Sequence, residues 1–211
     1  VLGWLYQFYI AEKKDEVFAS KKKRGAAEIP AATQLFTPNW IVRYMTENSL
    51  GRLWMLNNPS SSLKDSMDYY IEGEEPEEYL KVYSPEEITV LDPACGSGHI
   101  LVYAFDLLYS MYEEEGYLPE EIPAMILAKN LFGFEIDQRA AEIAKFALEM
   151  KARAKDAKFF ERCIDANITV LDPIRFSDGE LEEAGMLAEH TELLEAVSYT
   201  HLRAHETGAY L

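Results

Sequence analysis

Short and long apolar segments alternate along the middle of the chain. The runs at 88–91, 131–136 and 168–171 contain β-branched or aromatic residues, and their length and composition predict buried strands. The stretches at 100–112 and 138–158 are long enough for helices, and the second carries Lys and Arg on its polar face. This order of strand, helix, strand, helix and strand predicts an α/β fold whose parallel strands are joined by right-handed crossovers.

The first part of the chain is predicted to be helical. Residues 1–24 place aromatic side chains at helical spacing and end in a basic run, and residues 25–33 form a linker. A second helix is predicted to begin at Thr37 and Pro38, with Thr37 as the N-cap and Pro38 in the first turn. The side of this helix that is expected to face the core carries Ile41, Tyr44, Met45, Leu50 and Leu53.

Polar connections separate these elements. Residues 57–87 are predicted to be a loop or an insertion, with an acidic stretch at 72–78. Residues 113–121 form a second acidic connection, and residues 122–129 predict a short helix. Each of the three apolar strands ends in an acidic residue. The sequence therefore predicts a group of carboxylates at the carboxyl edge of the sheet, where open α/β sheets bind their ligands.

The composition is that of a globular protein with a large negative charge. The chain has 211 residues, of which 48% are hydrophobic, and its 37 acidic and 20 basic residues give a net charge of -17. Taken alone, this charge argues against a protein that coats nucleic acid. The 2 cysteines exclude a disulfide scaffold and a four-cysteine zinc site. Because no apolar run reaches the ~18 residues of a membrane helix, we expect a cytoplasmic protein without membrane contact.

The most informative segment follows the first strand and reads Asp-Pro-Ala-Cys-Gly-Ser-Gly-His at residues 92–99. Gly96 and Gly98 allow a sharp turn and a close approach of the backbone to a ligand. Leu101 occupies the position of the third glycine in a dinucleotide-binding turn. Asp92 is a poor neighbour for a phosphate and a good one for a cation. Since S-adenosylmethionine carries an ammonium and a sulfonium group and no phosphate, the segment favours this cofactor over NAD.

A second carboxylate supports a site for this cofactor. Glu135 lies at the end of the second strand, where a carboxylate can accept both hydroxyls of a ribose. Its distance along the chain from Gly96 exceeds the ~20 residues of a simple βαβ unit, and the acidic connection with its short helix accounts for the excess. Ile136 is expected to pack on the adenine, with Phe134 behind it. Each carboxylate alone also has an ordinary explanation, Asp92 as a helix cap and Glu135 as a surface residue at a strand end.

Three segments resemble the motifs of amino-methyltransferases that act on adenine in DNA. Residues 92–98 resemble motif I, residues 134–137 (Phe-Glu-Ile-Asp) resemble motif II, and residues 33–42 (Thr-Gln-Leu-Phe-Thr-Pro-Asn-Trp-Ile-Val) resemble motif X. The order X, I, II is that of the gamma-type adenine methyltransferases of type I and type IIG restriction-modification systems. Residues 3–15 and 40–54 resemble more narrowly the PglX-like adenine-specific methyltransferases of BREX phage-defence systems.

The resemblance implies a Rossmann-like fold of S-adenosylmethionine-dependent methyltransferases, with a parallel sheet and flanking helices. The implied organisation is a helical segment with a linker at 1–32 and an incomplete cofactor-binding domain at 33–196. The implied activity is that of a site-specific DNA methyltransferase acting on adenine N6, of the class EC 2.1.1.72. DNA would bind through regions that this chain lacks, and other subunits of a phage-defence system would be further partners.

The cofactor-binding residues that the resemblance implies are Phe36, Thr37, Pro38, Asp92, Pro93, Ala94, Cys95, Gly96, Gly98, Glu135, Ile136 and Asp172. Thr37 and Pro38 would lie beside the methionine carboxylate, and Glu135 would hold the ribose. The glycine-rich turn would line the methionine and the sulfonium. Asp165 or Asp172 would supply the later acid that meets the adenine amino group.

The catalytic motif of this family is absent from the chain. The motif consists of Asn, Asp or Ser, then Pro-Pro, then Tyr, Phe or Trp; its polar groups orient the target nitrogen and its aromatic ring stacks on the flipped base. No Pro-Pro dipeptide occurs among the 211 residues. We therefore predict no catalytic residue and no metal ligand in this chain, which should bind the cofactor without methylating.

The last residues, 197–211, resemble translated sequencing-adapter DNA and are predicted to be a non-native tail. The alternative is a genuine helix with His201 and His205 as a metal pair, for which no third ligand lies nearby.

The cysteines are interpreted as structural residues. Cys95 suits the glycine-rich turn because it is small, and no base is placed by the sequence to activate it. Cys163 is expected to be buried.

Other functions remain open at the level of sequence. Motifs I and II are shared by methyltransferases that act on cytosine N4 or on protein glutamine. A nicotinamide-binding Rossmann oxidoreductase would have a similar turn, although Leu101 and Asp92 argue against it. A module that keeps the fold without a ligand is the remaining alternative.

Overall fold

A computed structural model describes residues 37–73 and 76–171, together with a few positions between 11 and 19. The residues from 37 to 171 belong to one structural unit, and the helical residues 14–17 belong to another. Two of the predicted cofactor-binding residues, Phe36 and Asp172, lie outside the described residues, as does the predicted tail at 197–211.

The first unit alternates helices and strands as the apolar pattern predicts. Its helices are α1 (Asn39–Thr46), α2 (Arg52–Asn57), α3 (His99–Glu114), α4 (Ile122–Met125) and α5 (Gln138–Lys155). Its strands are β1 (Val90–Asp92), β2 (Leu131–Glu135) and β3 (Asn167–Val170). Two π-helical turns, Glu47–Gly51 and Ile126–Asn130, follow α1 and α4. Single 3₁₀ turns occur at Ser62–Ser66, Pro85–Glu87 and Phe159–Arg162.

The three strands form one parallel sheet in the order β1-β2-β3. Asp92 pairs with Gly133, and Gly133 in turn pairs with Ile168, so the strands are level with one another. The predicted α/β fold with parallel strands is confirmed. Because the strands are parallel and level, the carboxyl ends of β1 and β2 bring Asp92 and Glu135 to the same edge of the sheet.

Helices α3 and α5 pack closely on one face of this sheet. A Cβ on Gly133 would lie 3.0 Å from both Cys95 Sγ and Leu101 Cδ1, so only glycine allows the turn and α3 to approach β2 this closely. A Cβ on Gly98 would lie 3.0 Å from the Cβ of Ala144 in α5. Gly98 therefore permits the start of α3 to contact α5.

The core is built around α3, which is apolar on nearly all sides. Its fully buried side chains include Leu101, Ala104, Phe105, Leu108, Met111 and Tyr112. The other large residues with at most 1% exposure are Trp54, Ile122, Ile126, Leu127, Leu131, Leu148 and Phe159. No helix within the described residues is long and apolar enough to cross a membrane.

The buried side of α1 differs from the predicted one. Tyr44 and Met45 are 44% and 49% exposed, while the buried residues are Val42 and Thr46. The π-helical turn that follows α1 contains one more residue per hydrogen-bonded ring than an α-helix, so it shifts the phase of the helical pattern. The spacing from Leu50 back to α1 is therefore not the regular 3.6-residue spacing that the prediction assumed.

The N-cap of α1 is Pro38, and the prediction of Thr37 as the N-cap is wrong. Pro38 has φ -55° and ψ 144°, an extended conformation, and its carbonyl accepts from the N–H groups of Ile41 and Val42 at 2.9 and 3.1 Å. No side chain caps this helix. Because the ψ of Pro38 is extended and not helical, Pro38 lies outside the helix, which therefore begins one residue later than predicted.

Cys163 is exposed, so the prediction that it is buried is wrong. It has a φ of 52° in the left-handed region and ends the turn Phe159–Arg162.

Helix α5 is shorter than predicted, since it was expected to reach residue 158. The helix ends at Lys155 because Asp156 adopts an extended conformation and accepts the N–H of Lys158 at 2.8 Å.

Candidate cofactor-binding site

The glycine-rich turn joins β1 to α3 and is fastened to the neighbouring strand. The N–H of Cys95 donates to the carbonyl of Phe134 in β2 at 2.9 Å, and the N–H of Gly98 donates to Cys95 O at 2.8 Å. Gly96 and Gly98 have φ values of 53° and 82°, in the left-handed region that favours glycine. The two predicted turn glycines therefore occupy the positions where the backbone requires them.

Asp92 is the last residue of β1 and is 9% exposed. Its Oδ1 accepts the N–H of Ala94 at 3.2 Å, while the N-cap of α3 is Gly98. The explanation of Asp92 as a helix cap is therefore excluded. Burial raises the pKa of Asp92, and the nearby Glu135 adds to this rise. No basic side chain within the described residues forms an ion pair with Asp92.

Glu135 is the last residue of β2 and is 7% exposed, so it is not a surface residue at a strand end. Its Oε2 accepts the N–H of Gly96 at 2.7 Å. Its Oε1 accepts the N–H groups of Ile136 and Asp137 at 2.9 and 3.0 Å. Because a carboxylate oxygen can accept two hydrogen bonds, Oε1 is filled, whereas Oε2 has room for one further donor at the turn.

Apolar side chains flank these carboxylates at the carboxyl edge of the sheet. Ile136 follows Glu135 and is 54% exposed. Leu171 follows β3, is 43% exposed, and donates its N–H to the carbonyl of Glu135 at 2.8 Å. Asp137 accepts the N–H of Arg139 at 3.0 Å and caps α5. The edge therefore offers an exposed apolar surface next to the two buried acids.

The segment from α1 to α2 runs alongside α3 in the same direction. Arg43 donates to Tyr103 at 3.3 Å and Trp54 donates to Glu114 at 3.3 Å, and each pair is separated by 60 residues in sequence. Because both pairs have the same offset, the two helical segments are parallel and level. The start of α1 at Pro38 is therefore level with the start of α3 at Gly98.

The first N–H groups of an α-helix point away from its own carbonyls, and each helix start carries the positive end of a helix dipole. Neither Pro38 nor Gly98, the two N-cap residues, provides a side-chain cap. A site at this edge thus combines two helix N-termini, which favour an anion, with the buried carboxylates Asp92 and Glu135, which favour a cation and hydroxyl donors. Such an arrangement suits a ligand that carries both charges.

The remaining predicted site residues play smaller parts. Pro93 and Ala94 are exposed on the turn. Cys95 is buried, and burial raises the pKa of its thiol to about 12, so the thiol stays protonated at neutral pH. Asp165 is exposed and precedes β3, which places it at the opposite edge of the sheet from Asp92. Asp165 is therefore not positioned to meet a ligand at the carboxyl edge.

Sequence reasoning missed a polar cluster between α1 and α3. Its centre is Glu47, which is 0% exposed and contacts Arg43 and Tyr103. The sequence signal is weak, because an Arg and a Glu four residues apart are usually an exposed helical pair. A second missed contact joins Ser97 Oγ and His99 Nδ1 at 3.2 Å, and burial lowers the pKa of His99.

Comparison with known proteins relates this site to a family. A family model described as MmeI, DNA-methyltransferase domain, matches residues 78–175. This span contains the glycine-rich turn and Glu135. The adenine-specific methyltransferase BrxX of Escherichia coli O9:H4 (strain HS) is 49% identical over 190 residues, which are 86% of this chain and 16% of BrxX.

This chain is homologous to a segment of the adenine-specific methyltransferases. A second relative, the adenine-specific methyltransferase PglX of Lacticaseibacillus casei (strain Zhang), is 40% identical over 90% of this chain and 18% of its own length. The putative type II restriction enzyme and methyltransferase RM.MjaORFECS2P of Methanocaldococcus jannaschii is 29% identical over 70% of the chain and 13% of its own length. The chain spans less than a fifth of the length of these curated relatives.

Proposed function

We infer that this methyltransferase chain forms the S-adenosylmethionine-binding part of an enzyme that methylates adenine at N6 in DNA. The observation that carries the inference is the pair of buried carboxylates at one glycine-rich turn. Glu135 Oε2 lies 2.7 Å from the N–H of Gly96, and Asp92 is 9% exposed beside it. Buried carboxylates without a protein counter-ion are costly, and a cationic, hydroxyl-bearing ligand offsets that cost.

The charges of the site match the cofactor group by group. When bound, S-adenosylmethionine supplies an electrophilic methyl group on a positively charged sulfur. Its carboxylate would meet the level N-termini of α1 and α3, at Thr37 and Gly98. Asp92 would lie near its cationic groups, and Glu135 Oε2 would accept a ribose hydroxyl. Ile136 would cover one face of the adenine.

The target assignment rests on the relatives. BrxX and PglX are both named adenine-specific methyltransferases. Adenine N6 is therefore favoured over cytosine N4 and protein glutamine, which share the cofactor. The sequence contains no Pro-Pro dipeptide, so the groups that bind the flipped base would come from the longer protein, as would the contacts to DNA and to other defence-system subunits.

A Rossmann-like sheet is the fold that would complete this site. Helices α3 and α5 cover one face, while a groove of about 600 Å³ on the other face is lined by Leu91, Phe132, Phe134, Thr169 and neighbouring residues. Parallel sheets are buried on both faces. Since crossovers are right-handed, helices on the second face require the next strand to pair beside β1. That arrangement places the reversal of strand order at the end of β1, beside Asp92.

Binding calorimetry on the whole protein that carries this chain tests the inference. S-adenosylmethionine and S-adenosylhomocysteine should both bind, because they share the amino acid and the nucleoside. NAD should not bind, since its pyrophosphate would meet Asp92. Binding of NAD without S-adenosylmethionine would refute the proposed function and favour the oxidoreductase alternative.

A further inference from the structure

A charged cluster lies between α1 and α3, away from the two carboxylates of the turn. Glu47 has no exposed surface and is the first residue of the π-helical turn after α1. Its Oε1 accepts from Arg43 Nε at 3.2 Å and from the Tyr103 hydroxyl at 2.5 Å. Its Oε2 accepts the N–H of Tyr69 at 2.5 Å. The buried carboxylate therefore has a donor from each of three separate segments.

Arg43 extends this cluster toward the surface. Its Nη1 lies 2.8 Å from Asp68 Oδ2, and its guanidinium carbon lies 5.3 Å and 5.4 Å from the ring centres of Tyr69 and Tyr103. A planar guanidinium can make these contacts together, whereas a lysine ammonium cannot. Arg43 and Glu47 thus connect α1, α3 and the segment at 68–69.

Packing alone would not require charges at this place. Apolar residues of similar size would fill the space between two helices without the desolvation cost of a buried carboxylate. What a directional network adds is a defined register of one helix against another. Arg43 and Tyr103 lie five residues after Pro38 and Gly98 respectively, so the network sets how the two helix starts are aligned.

We propose that Arg43 and Glu47 are positioning residues that hold Thr37 and Pro38 level with the glycine-rich turn. They control affinity for the amino-acid end of the cofactor and leave affinity for its nucleoside end unchanged. This follows because the amino-acid end lies at the two helix starts, while the nucleoside end lies at Glu135. The proposal rests on the proposed function.

The test compares two ligands that share the nucleoside and the sulfur, while the amino-acid chain and the positive charge on the sulfur are present only in S-adenosylmethionine. S-adenosylmethionine carries the methionine chain, and 5′-methylthioadenosine keeps the nucleoside and the sulfur without it. Dissociation constants for both are measured by calorimetry in the whole protein carrying this chain. The variants are Glu47→Gln, which removes the charge at constant shape, and Tyr103→Phe, which removes one hydroxyl from the network.

The matched control is Asp156→Asn. Asp156 is also a buried carboxylate, 4% exposed, and it is paired with Arg162 Nε at 2.7 Å. It lies just after α5, and its carboxylate accepts hydrogen bonds from Lys158 and Arg162, which are not part of α1. It therefore reports what the loss of a buried charge does to folding in general.

The expected result is a rise of about fivefold or more in the dissociation constant for S-adenosylmethionine in both test variants, with 5′-methylthioadenosine within about twofold of wild type. Asp156→Asn should leave the ratio of the two constants unchanged. Circular dichroism checks that each variant is folded. If Glu47→Gln does not fold, Tyr103→Phe alone tests the proposal. An unchanged ratio in the folded variants, or an equal loss for both ligands, would overturn the proposal. A wild-type protein that binds neither ligand would overturn the proposed function itself.

Discussion

Asp92 is a charged side chain at a position where burial opposes its charge. Its pKa is raised first by desolvation and then by the neighbouring carboxylate of Glu135, and only the N–H of Ala94 compensates. In the free protein the charged form is therefore destabilising above the raised pKa. A bound cation would reverse this balance, because it favours the ionised carboxylate.

Replacement of Asp92 should change stability and binding in opposite directions. Asp92→Asn keeps an oxygen that can accept the N–H of Ala94 but removes the buried charge. At neutral pH we expect a slightly higher melting temperature without ligand and a loss of about 2 kcal/mol, or roughly thirtyfold, in affinity for S-adenosylmethionine. Thermal unfolding and calorimetry measure the two effects.

The pH dependence of cofactor binding follows from the raised pKa of Asp92. As pH falls through the raised pKa of Asp92, the carboxylate becomes protonated and the wild-type affinity for the cofactor should weaken, while Asp92→Asn should lose this part of the pH dependence. Asp92→Asn with unchanged affinity would show that this carboxylate does not meet the cofactor.

At the residue scale, the sequence identified the site acids but not the network behind them. Asp92 and Glu135 were predictable because each ends an apolar strand, and parallel strands bring such residues to one edge. Glu47 was not, since its burial depends on Tyr103 and Tyr69, which are distant in sequence. The prediction for Asp165 was wrong because this residue precedes β3. A residue before a parallel strand lies at the amino edge of the sheet, opposite to Asp92 and Glu135.

At the scale of elements, the close contact of α3 with α5 depends on one glycine. Gly98 has φ 82°, and a Cβ there would lie 3.0 Å from Ala144 Cβ and 3.2 Å from its Cα. Gly116 has nearly the same φ, 80°, yet a Cβ there would meet nothing within 4 Å. A comparison of substitutions at Gly98 and Gly116 therefore distinguishes the effect of backbone strain from the effect of packing.

Gly98→Ala should destabilise the protein more than Gly116→Ala by about 1–3 kcal/mol. Both variants carry the same backbone strain, and only the first forces the start of α3 away from α5. Chemical denaturation of the two variants measures the difference. Equal destabilisation would mean that α5 yields without cost and that the contact does not position the turn.

The helix boundaries show which part of an element a sequence reveals. The extents of α3 and β2 were predicted to within two residues because their apolar runs are continuous and are bounded by polar residues. The buried face of α1 was not, since the π-helical turn Glu47–Gly51 interrupts the regular period and nothing local in the sequence marks it. The level alignment of α1 with α3 depends on contacts across 60 residues, which no local pattern encodes.

At the scale of the whole molecule, the sheet has one covered and one open face within the described residues. Leu91 lies on the open face and is 51% exposed, although it belongs to a parallel strand. Leu118, between α3 and α4, is 63% exposed and lies in a surface connection. If the longer protein covers the open face, Leu91 is buried there, whereas Leu118 stays exposed.

Leu91→Asp should destabilise the whole protein by about 2 kcal/mol or more, because the charge would be buried beneath the covering segment. Leu118→Asp should stay within about 0.5 kcal/mol, as surface substitutions usually do. Differential scanning calorimetry of the whole protein measures both. A neutral effect of Leu91→Asp would mean that this face stays open and that the Rossmann-like completion is wrong.

The most direct test of the cofactor site is the affinity for S-adenosylmethionine after replacement of Glu135, with Asp165 as the matched control. Glu135→Gln keeps the shape of the side chain, but it replaces one of the two acceptor oxygens with an NH2 donor and loses the charge that would hold a ribose hydroxyl. Asp165→Asn changes an exposed acid at the opposite edge of the sheet. We predict that Glu135→Gln raises the dissociation constant at least about tenfold and that Asp165→Asn changes it less than about twofold. Wild-type affinity in a folded Glu135→Gln variant would contradict the account.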